Sequence, residues 1–487
     1  MEKRYDVAII GGGVVGCAIA RELSRYDLKI LVLEKECDVA METSGRNSGV
    51  AHAGFYVPTG TLKARLNVKG HAMLPVLCKE LGVPYIECGK IVTAKEDEER
   101  EYLYKLKETG DKNGSRGLRI IGKDEIKRLE PNINGIEALH SPLTAILDPF
   151  ILTIALAENA VHNGAEVKLN AEVVGISESG EGFVILTKDK KYLADYVINS
   201  AGLYADKVAS MVGINDYTIY PCRGEYHILD KNRRNLINGA VYPVPPKELG
   251  GLGIHLTPTT DGNIMLGPSA EYLDARDDTS NTPDVMDKLF QESSEFLPKI
   301  SRKDIIKSFS GIRPKLITKG SKKAVDFVIE ESKKVPGFIN LIGIESPGLT
   351  GAPAIAEMVA EMIGKTKTLK VKKNFDSRRK PTIHFADLPA EEKARLIKEN
   401  SDYGSVVCRC QTITKKEVLD ALNNPLGTRN IQSISKRCRA TLGRCQGGFC
   451  IPKIVEIMEE KYSLNYDEIK LKGGSSQLFT GKRGGKK

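Results

Sequence analysis

Short apolar runs alternate with amphipathic stretches along most of the chain, the pattern of buried strands feeding helices. Near the start, Val7-Ala8-Ile9-Ile10 reads as a buried strand, a helical periodicity runs from Cys17 to Tyr26, and a second apolar run, Lys29 to Leu33, ends at Glu34. Tyr196 to Ile198 reads as another strand, and Ala352 to Ile363 as an apolar helix. Between these, period-two alternation over Ala240 to Leu256 and Asn263 to Leu266 predicts an antiparallel sheet with one covered face. After residue 403 the pattern changes. Thr414-Lys415-Lys416-Glu417 is a capping box opening a short helix with Val418, Leu419 and Leu422 on one face. Pro452 then sits in the first turn of a helix reaching Tyr462.

With 487 residues the chain is long enough for two to four compact units. A composition of 41% hydrophobic and 28% charged residues excludes disorder and an integral membrane protein. No apolar run reaches the roughly 18 residues of a membrane span, and the charged start is unlike a signal peptide. The expected location is the cytoplasm. The net charge of +9 is concentrated in Lys365 to Lys373, continuing to Arg378, Arg379 and Lys380, and in the terminal Gly481 to Lys487. With no recognised motif or aromatic platform beside it, this charge predicts a solvated linker and tail, and no nucleic-acid partner.

The glycines between the first strand and helix carry chemistry. Gly11-Gly12-Gly13-Val14-Val15-Gly16 lies between a strand and a helix, with an acid, Glu34, closing the next strand. That order is a dinucleotide-binding unit. Gly11 permits the turn, Gly13 lets the backbone approach a pyrophosphate, and Gly16 lets helix pack on strand. The helix N-terminus offers unpaired N–H groups to phosphate, and Glu34 can accept from a ribose diol. The unit alone does not separate FAD from NAD.

A small-residue loop, Thr43 to Gly54, could wrap a large cofactor. With Asn199-Ser200-Ala201-Gly202 and Gly343-Ile344-Glu345-Ser346-Pro347-Gly348-Leu349-Thr350, it resembles the glycine oxidase and D-amino acid oxidase-like FAD oxidoreductases. The resemblance spans about residues 4–365 and implies FAD held by Gly11, Gly13, Gly16, Glu34, Ser44, Asn47, Ser48, Val173, Ala201, Gly202, Gly343, Gly348, Leu349 and Thr350. It also implies that the helix after Thr350 points its N-terminus at the flavin. Within the family, Gly45-Arg46-Asn47 and His52 resemble the anaerobic glycerol-3-phosphate dehydrogenase large subunit. Asn47 to Val50, Pro221 to Tyr226, Tyr242 to Pro245 and Gly253 to Pro258 resemble L-2-hydroxyglutarate dehydrogenase, a branch that more often has His where this chain has Arg46.

Oxidising an anionic secondary alcohol needs a base for the hydroxyl proton and a fixed cation for the anion. Of seven histidines, His52 and His255 are the candidate bases, and His71, His140, His162, His227 and His384 are expected to be structural. Arg313, in a Gly-x-Arg-Pro segment, is the first candidate clamp, because a guanidinium grips a carboxylate or phosphate through two parallel hydrogen bonds. Arg46, Arg223 and Lys315 are further candidates for substrate binding.

Of ten cysteines, Cys17, Cys37, Cys78, Cys88 and Cys222 are scattered and expected to be packing residues. Cys408-Arg409-Cys410 and, after residues 411–444, Cys445-Gln446-Gly447-Gly448-Phe449-Cys450 form C-x-C and C-x4-C pairs able to converge on one metal centre. Iron-sulfur, zinc and a redox disulfide all fit four thiols so spaced. The arrangement resembles the bacterioferritin-associated ferredoxin-like (BFD-like) domain. That resemblance implies a 2Fe-2S cluster whose negative charge Arg409, Arg437, Arg439 and Arg444 would offset. Cys438 falls outside the set.

The expected fold is α/β: a Rossmann-type FAD-binding domain with an antiparallel-sheet substrate domain, plus a small helical C-terminal iron-sulfur domain. The oxidoreductase occupies 1–365, with FAD-binding segments at about 1–80, 146–212 and 306–365 and the substrate domain at about 81–145 and 213–305. A linker (366–403) with a short helix from Ala390, the cluster domain (404–465) and a flexible basic tail (466–487) follow. The expected activity is oxidation of sn-glycerol 3-phosphate to dihydroxyacetone phosphate, with L-2-hydroxyglutarate or another 2-hydroxy acid as the alternative. Electrons would pass through FAD and the cluster to a partner subunit, with a second flavoprotein as the expected acceptor; peripheral membrane association stays open. The contrasting possibility is a zinc-binding interaction module that carries no electrons.

Overall fold

The computed structural model describes residues 3–180, 182–245, 253–317 and 325–479. Its first sheet has a parallel centre in the order Glu166–Lys168, Ile30–Leu33, Arg4–Ile10, Lys191–Asn199 and Phe338–Ile342. The antiparallel pair Val173–Ser179 and Gly182–Thr187 joins along the first half of Lys191–Asn199. Both faces are covered, so these strands are continuous apolar runs rather than alternating ones. The helices Val14–Leu23, Leu62–Leu81, Pro149–His162 and Gly348–Gly364 build the core on one face, packed around Ile19, Leu74, Leu152 and Ile355. The first helix begins at Val14, three residues before the periodicity reads as helical, because part of the glycine string forms its opening turn.

The second sheet contains Ile219–Leu229, Ala240–Pro243, His255–Pro258, Ile264–Gly267, Lys90–Ala94 and Glu137–Ser141 among its strands. It is antiparallel apart from the parallel join of Lys90–Ala94 to Ala240–Pro243. Of the strand-like stretch expected from Ala240 to Leu256, residues 246–252 lie outside the described residues. One boundary is corrected. The strand Ile305–Leu316, expected among the FAD segments, pairs along its whole length with Ile219–Leu229 and so belongs to the substrate sheet.

The cysteine-bearing unit has its own small core, built on Val418, Ile434, Ile454 and Met458. Thr414 and Glu417 form the capping box in both directions and start the helix Lys415–Leu422. The helix through Pro452 spans Cys450–Tyr462.

Two stretches expected to be solvated are partly packed. In the linker, Lys367 pairs with Asp6 and Asp195, and Arg379 reaches Glu158 at 2.7 Å. Beyond residue 465, Ile469 is fully buried in the cysteine unit, and the Gln432 amide donates to the Leu471 carbonyl. Carboxylates of the main body, in the first case, and apolar surface, in the second, remove the charge and chain from water. The basic end from 480 onward lies outside the described residues.

Candidate functional site

A cavity of about 1740 Å³ lies between the two sheets. Gly11, Gly13, Glu34, Ser44, Asn47, Ser48, Val173, Ala201, Gly202, Gly348 and Leu349 line it, as do His52, His255, Arg313, Lys315 and Arg46. Gly16, Gly343, Thr350 and Arg223 do not.

The glycine loop behaves as its spacing demands. Gly11 turns at φ 106°, and a Cβ on Gly16 would collide with the Gly11 carbonyl oxygen and the Ser200 hydroxyl, so Gly16 serves packing behind the cavity. Gly13 caps the helix without a side chain, which leaves room for a phosphate at the helix N-terminus. Ser44 Oγ accepts from the Val14 amide at 2.9 Å. Glu34 accepts from the amides of Gly12 at 2.6 Å and Glu36 at 2.8 Å. Burial raises its carboxyl to about 7, against the lowering pull of those two N–H groups. An extended cavity that combines an open helix N-terminus with a buried acid fits a dinucleotide carrying phosphates and a ribose diol. At the far end, Pro347, Gly348 and Leu349 bring the start of the helix Gly348–Gly364 to the wall. Thr350 acts from behind. Its Oγ1 accepts from the His52 amide at 3.0 Å and donates to the Val50 carbonyl, which fastens the His52 loop to this helix.

The proposed substrate end gathers cations and imidazoles. Arg313 donates to the Ser269 carbonyl at 2.7 Å and lies 3.2 Å from Cys222 Sγ. Burial alone would lower it, but Tyr226 and Cys222 hold it above its ordinary value. Lys315 and Lys63 converge on the half-buried Glu345 at 3.2 and 3.0 Å. Arg46 braces the loop by donating to the carbonyls of Met41 and Ser310. Arg223, expected at the substrate, is placed elsewhere. Side chains alternate along a strand; Cys222 and Tyr226 line the cavity, whereas the buried Arg223 bonds to Glu271 at 2.7 Å and Asp278 at 2.9 Å.

His52 and His255 are both buried in the cavity wall. His255 stacks on the Tyr242 ring with centroids 3.5 Å apart, and His52 meets the Tyr56 ring edge-on at 4.9 Å. Burial, then Lys90 and after it His255 and His71, hold His52 well below its ordinary value. Two of the histidines expected to be structural bond as such: His71 to the Leu143 carbonyl, His227 to Ser308 and the Met286 carbonyl. Sequence reasoning missed Lys63, Tyr242 and Cys222 as wall residues and Lys90 behind it. Tyr242, Cys222 and Glu345 stood inside segments that carried the family resemblance. Lys90 had no signal.

The four expected thiols come together. Cys410 Sγ lies 3.8 Å from both Cys408 Sγ and Cys445 Sγ, and Cys450 is hydrogen-bonded to Cys408. Burial alone would raise the Cys445 thiol, but the Gly447 and Phe449 N–H groups bring it below its usual value. The Cys408 thiol, as hydrogen-bond partner of Cys450 and through burial, is pushed up. The contacts run Cys445, Cys410, Cys408, Cys450, so the thiols form a string of neighbours. Such a string suits a two-iron cluster, which takes two thiolates on each iron. Cys438 is fully buried in the unit's core, apart from this group.

Of the four arginines expected to offset the cluster charge, Arg437, Arg439 and Arg444 are used differently, while Arg409 is exposed beside Cys408 and Cys410. Arg437 pairs with Asp38 at 2.5 Å and Glu158 at 3.3 Å, Arg439 with Asp148 and Asp261, and Arg444 with Asp230. They dock the cysteine unit on the main body.

Residues 6–362 match the family described as FAD dependent oxidoreductase. The chain belongs to that family. Residues 406–460 of this oxidoreductase match the BFD-like [2Fe-2S] binding domain, so its cofactors are FAD and a 2Fe-2S cluster. It is 40% identical over 480 residues to glycerol 3-phosphate dehydrogenase of Caloramator mitchellensis, covering 98% of each chain. It is 34% identical to the mitochondrial L-2-hydroxyglutarate dehydrogenase of Homo sapiens over 410 residues, 74% of this chain and 88% of that one. In structure it resembles dithionite-reduced L-alpha-glycerophosphate oxidase from Mycoplasma pneumoniae with FAD bound, at TM-score 0.73 and 31% identity, over 78% of this chain and all of that one. No helix among the described residues is long and apolar enough to cross a membrane.

Proposed function

We propose that this oxidoreductase converts sn-glycerol 3-phosphate to dihydroxyacetone phosphate. The observation that carries the reading is the 40% identity to a glycerol 3-phosphate dehydrogenase across 98% of both chains, a match that takes in the cysteine unit as well as the flavin fold. The match to L-2-hydroxyglutarate dehydrogenase covers 74% of this chain.

FAD, when bound, supplies the acceptor for the hydrogen and electron pair that leave the carbinol carbon. Gly11, Gly13, Glu34, Ser44 and the Gly348–Gly364 helix start would hold it. The chain's own residues do the rest. Arg313 offers a half-buried guanidinium to the phosphate, on the same strand as Lys315, and Glu345 pairs with both Lys315 and Lys63. His52 and His255 flank the hydroxyl. The Tyr242 ring stacked on His255 fixes the plane of the imidazole in the cavity wall.

Cys408, Cys410, Cys445 and Cys450 would hold the cluster and pass electrons singly to a partner subunit, for which a second flavoprotein is the reading we favour. We place the enzyme in the cytoplasm. Anaerobic turnover with a dye acceptor tests the substrate. Reduction of the dye by glycerol 3-phosphate is expected, and turnover of L-2-hydroxyglutarate without glycerol 3-phosphate would overturn the assignment.

A further inference from the structure

The residues around the four thiols have two unlike sides. On one, the main body holds both cysteine loops: Lys231 donates to Gln411, the residue after Cys410, at 2.6 Å, and Arg444, the residue before Cys445, pairs with Asp230 at 3.1 Å. Asp230 and Lys231 directly follow the strand Ile219–Leu229, which carries the cavity residues Cys222 and Tyr226. Four residues of extended chain, roughly 13 Å, separate Tyr226 from Asp230. That side leads back to the FAD cavity.

The other side is open. Phe449, between Cys445 and Cys450, is the most exposed of the large apolar side chains among the described residues, at 76%. A lone exposed ring is ordinary on a protein surface, and this one is set apart by its neighbours. Its own N–H reaches the Cys445 thiol. Lys453 follows one turn along the helix Cys450–Tyr462, and its ammonium lies 3.5 Å from the carbonyl of Val406, itself exposed. Arg409, between Cys408 and Cys410, is exposed, as is Cys410. Among the described residues no carboxylate pairs with Arg409 or Lys453. The acids that come after Lys453 on the helix, Glu456 and Glu460, lead away from the thiols, and Glu460 is engaged by Lys415.

We propose that this face, with Phe449 at its centre and Arg409 and Lys453 on its rim, is where an acidic one-electron carrier protein docks to exchange electrons with the cluster. A small patch with an aromatic anchor and a basic rim suits a brief redox encounter: the ring excludes water at the contact, and the cations steer an acidic partner in. Each encounter moves one electron. The reduced cluster returns to its oxidised state and the carrier's centre is reduced by one, with no bond made or broken. A second copy of this chain fits less well, because a two-fold contact centred on Phe449 would set the same cations against each other. The proposal rests on the electron-passing role given to the cluster above and is independent of the substrate.

Oxidised flavodoxin, a small acidic flavoprotein, is the probe, and cytochrome c, a basic carrier, is the contrast. Titrating holoenzyme into 15N-labelled flavodoxin at low salt and following the amide signals gives the Kd. Binding should weaken with salt and fall about 10-fold or more in Phe449→Ser and in Lys453→Glu, the scale of an aromatic anchor or a reversed rim charge. Lys123→Glu, the same charge change on the helix Lys123–Leu129 of the main body, should leave it unchanged. Lys453 lies outside the cysteine loops, so its variant keeps the test decisive should Phe449→Ser lose iron. Electron exchange is read in the reverse direction, which the same face must serve. Fully reduced flavodoxin should fill the oxidised cluster, seen as its EPR signal, about 10-fold more slowly in Phe449→Ser, while dithionite, which needs no docking face, fills it at the wild-type rate. No flavodoxin binding by the wild type, binding unchanged in Lys453→Glu, cytochrome c bound as tightly as flavodoxin, binding without electron exchange, or a wild-type dimer that Phe449→Ser dissolves each overturns the proposal. Failure to turn over glycerol 3-phosphate would sink the substrate reading and leave this test untouched.

Discussion

The Lys436 ammonium donates to the Ala40 carbonyl at 2.5 Å, so a residue of the cysteine unit holds the loop that lines the FAD cavity. Met41 Sδ lies 3.3 Å from the same nitrogen, and burial lowers Lys436 to about 8 although Asp38 pulls the other way. The cysteine unit therefore supports the flavin loop at this point, apart from the thiols' own contacts with one another. Lys436→Met removes a charge-assisted bond worth about 1.5–3 kcal/mol, which should weaken FAD retention by about 10-fold or more. The flavin-to-protein absorbance ratio after desalting measures this, and an unchanged ratio would show the loop to be self-supporting.

Glu34 gives a pH dependence to cofactor binding. Its carboxyl sits at about 7 in the protein without FAD, raised by burial despite the Gly12 and Glu36 amides. A folded value above the unfolded one means that the folded protein without FAD gains stability from this proton at low pH and loses it as pH rises through about 7. A ribose diol donates to the carboxylate form, so FAD binding favours the deprotonated state. FAD affinity should therefore rise with pH through the neutral range and level off above it. Flavin fluorescence titrations follow the effect, and Glu34→Gln should flatten the curve; a wild-type curve already flat would remove Glu34 from ribose recognition.

Arg313 makes a separate prediction about the anion. Its guanidinium is fixed by the Ser269 carbonyl at 2.7 Å and is in register with Cys222 on the neighbouring strand. Arg313→Met should lower kcat/KM for glycerol 3-phosphate by about 10- to 100-fold, the range of a hydrogen bond to a charged group. Arg313→Lys should recover part of this. Unchanged kinetics in Arg313→Met would move the phosphate contact to Lys315 and Lys63.

What could be read in advance was local. Gly16 answers the Gly11 carbonyl five residues back, Glu34 accepts from the Glu36 amide two residues on, and Thr414 with Glu417 closes a cap within one turn. The four thiols declared themselves by spacing. What could not be read depends on strands far apart in sequence. Lys90 meets Tyr242 because two strands join in parallel, with Ala240 opposite Lys90, and nothing in either segment announces the pairing. The ion pairs of Arg223 with Glu271 and Asp278, and of Arg437 with Asp38 and Glu158, likewise follow from folding, so an arginine taken for a substrate or cluster contact became a packing element. Strand alternation around Cys222 could have excluded Arg223 beforehand.

The cluster site allows a test that separates the loss of a ligand from the loss of space. Cys445→Ser removes a thiolate, and the EPR signal of the reduced 2Fe-2S centre should disappear with it. Gly443→Ala leaves all four thiols in place, yet its Cβ would collide with Cys410 Sγ. It too should lose iron and sulfide. Neither change touches the cavity lining, so glycerol 3-phosphate should still bleach the flavin in both variants while electron delivery to a one-electron acceptor falls. A Gly443→Ala protein with full iron, sulfide and EPR signal would mean that Cys410 moves freely enough to be dispensable as a fixed ligand. Zinc without iron in the native protein would instead make the unit a structural module and leave the flavin chemistry standing alone.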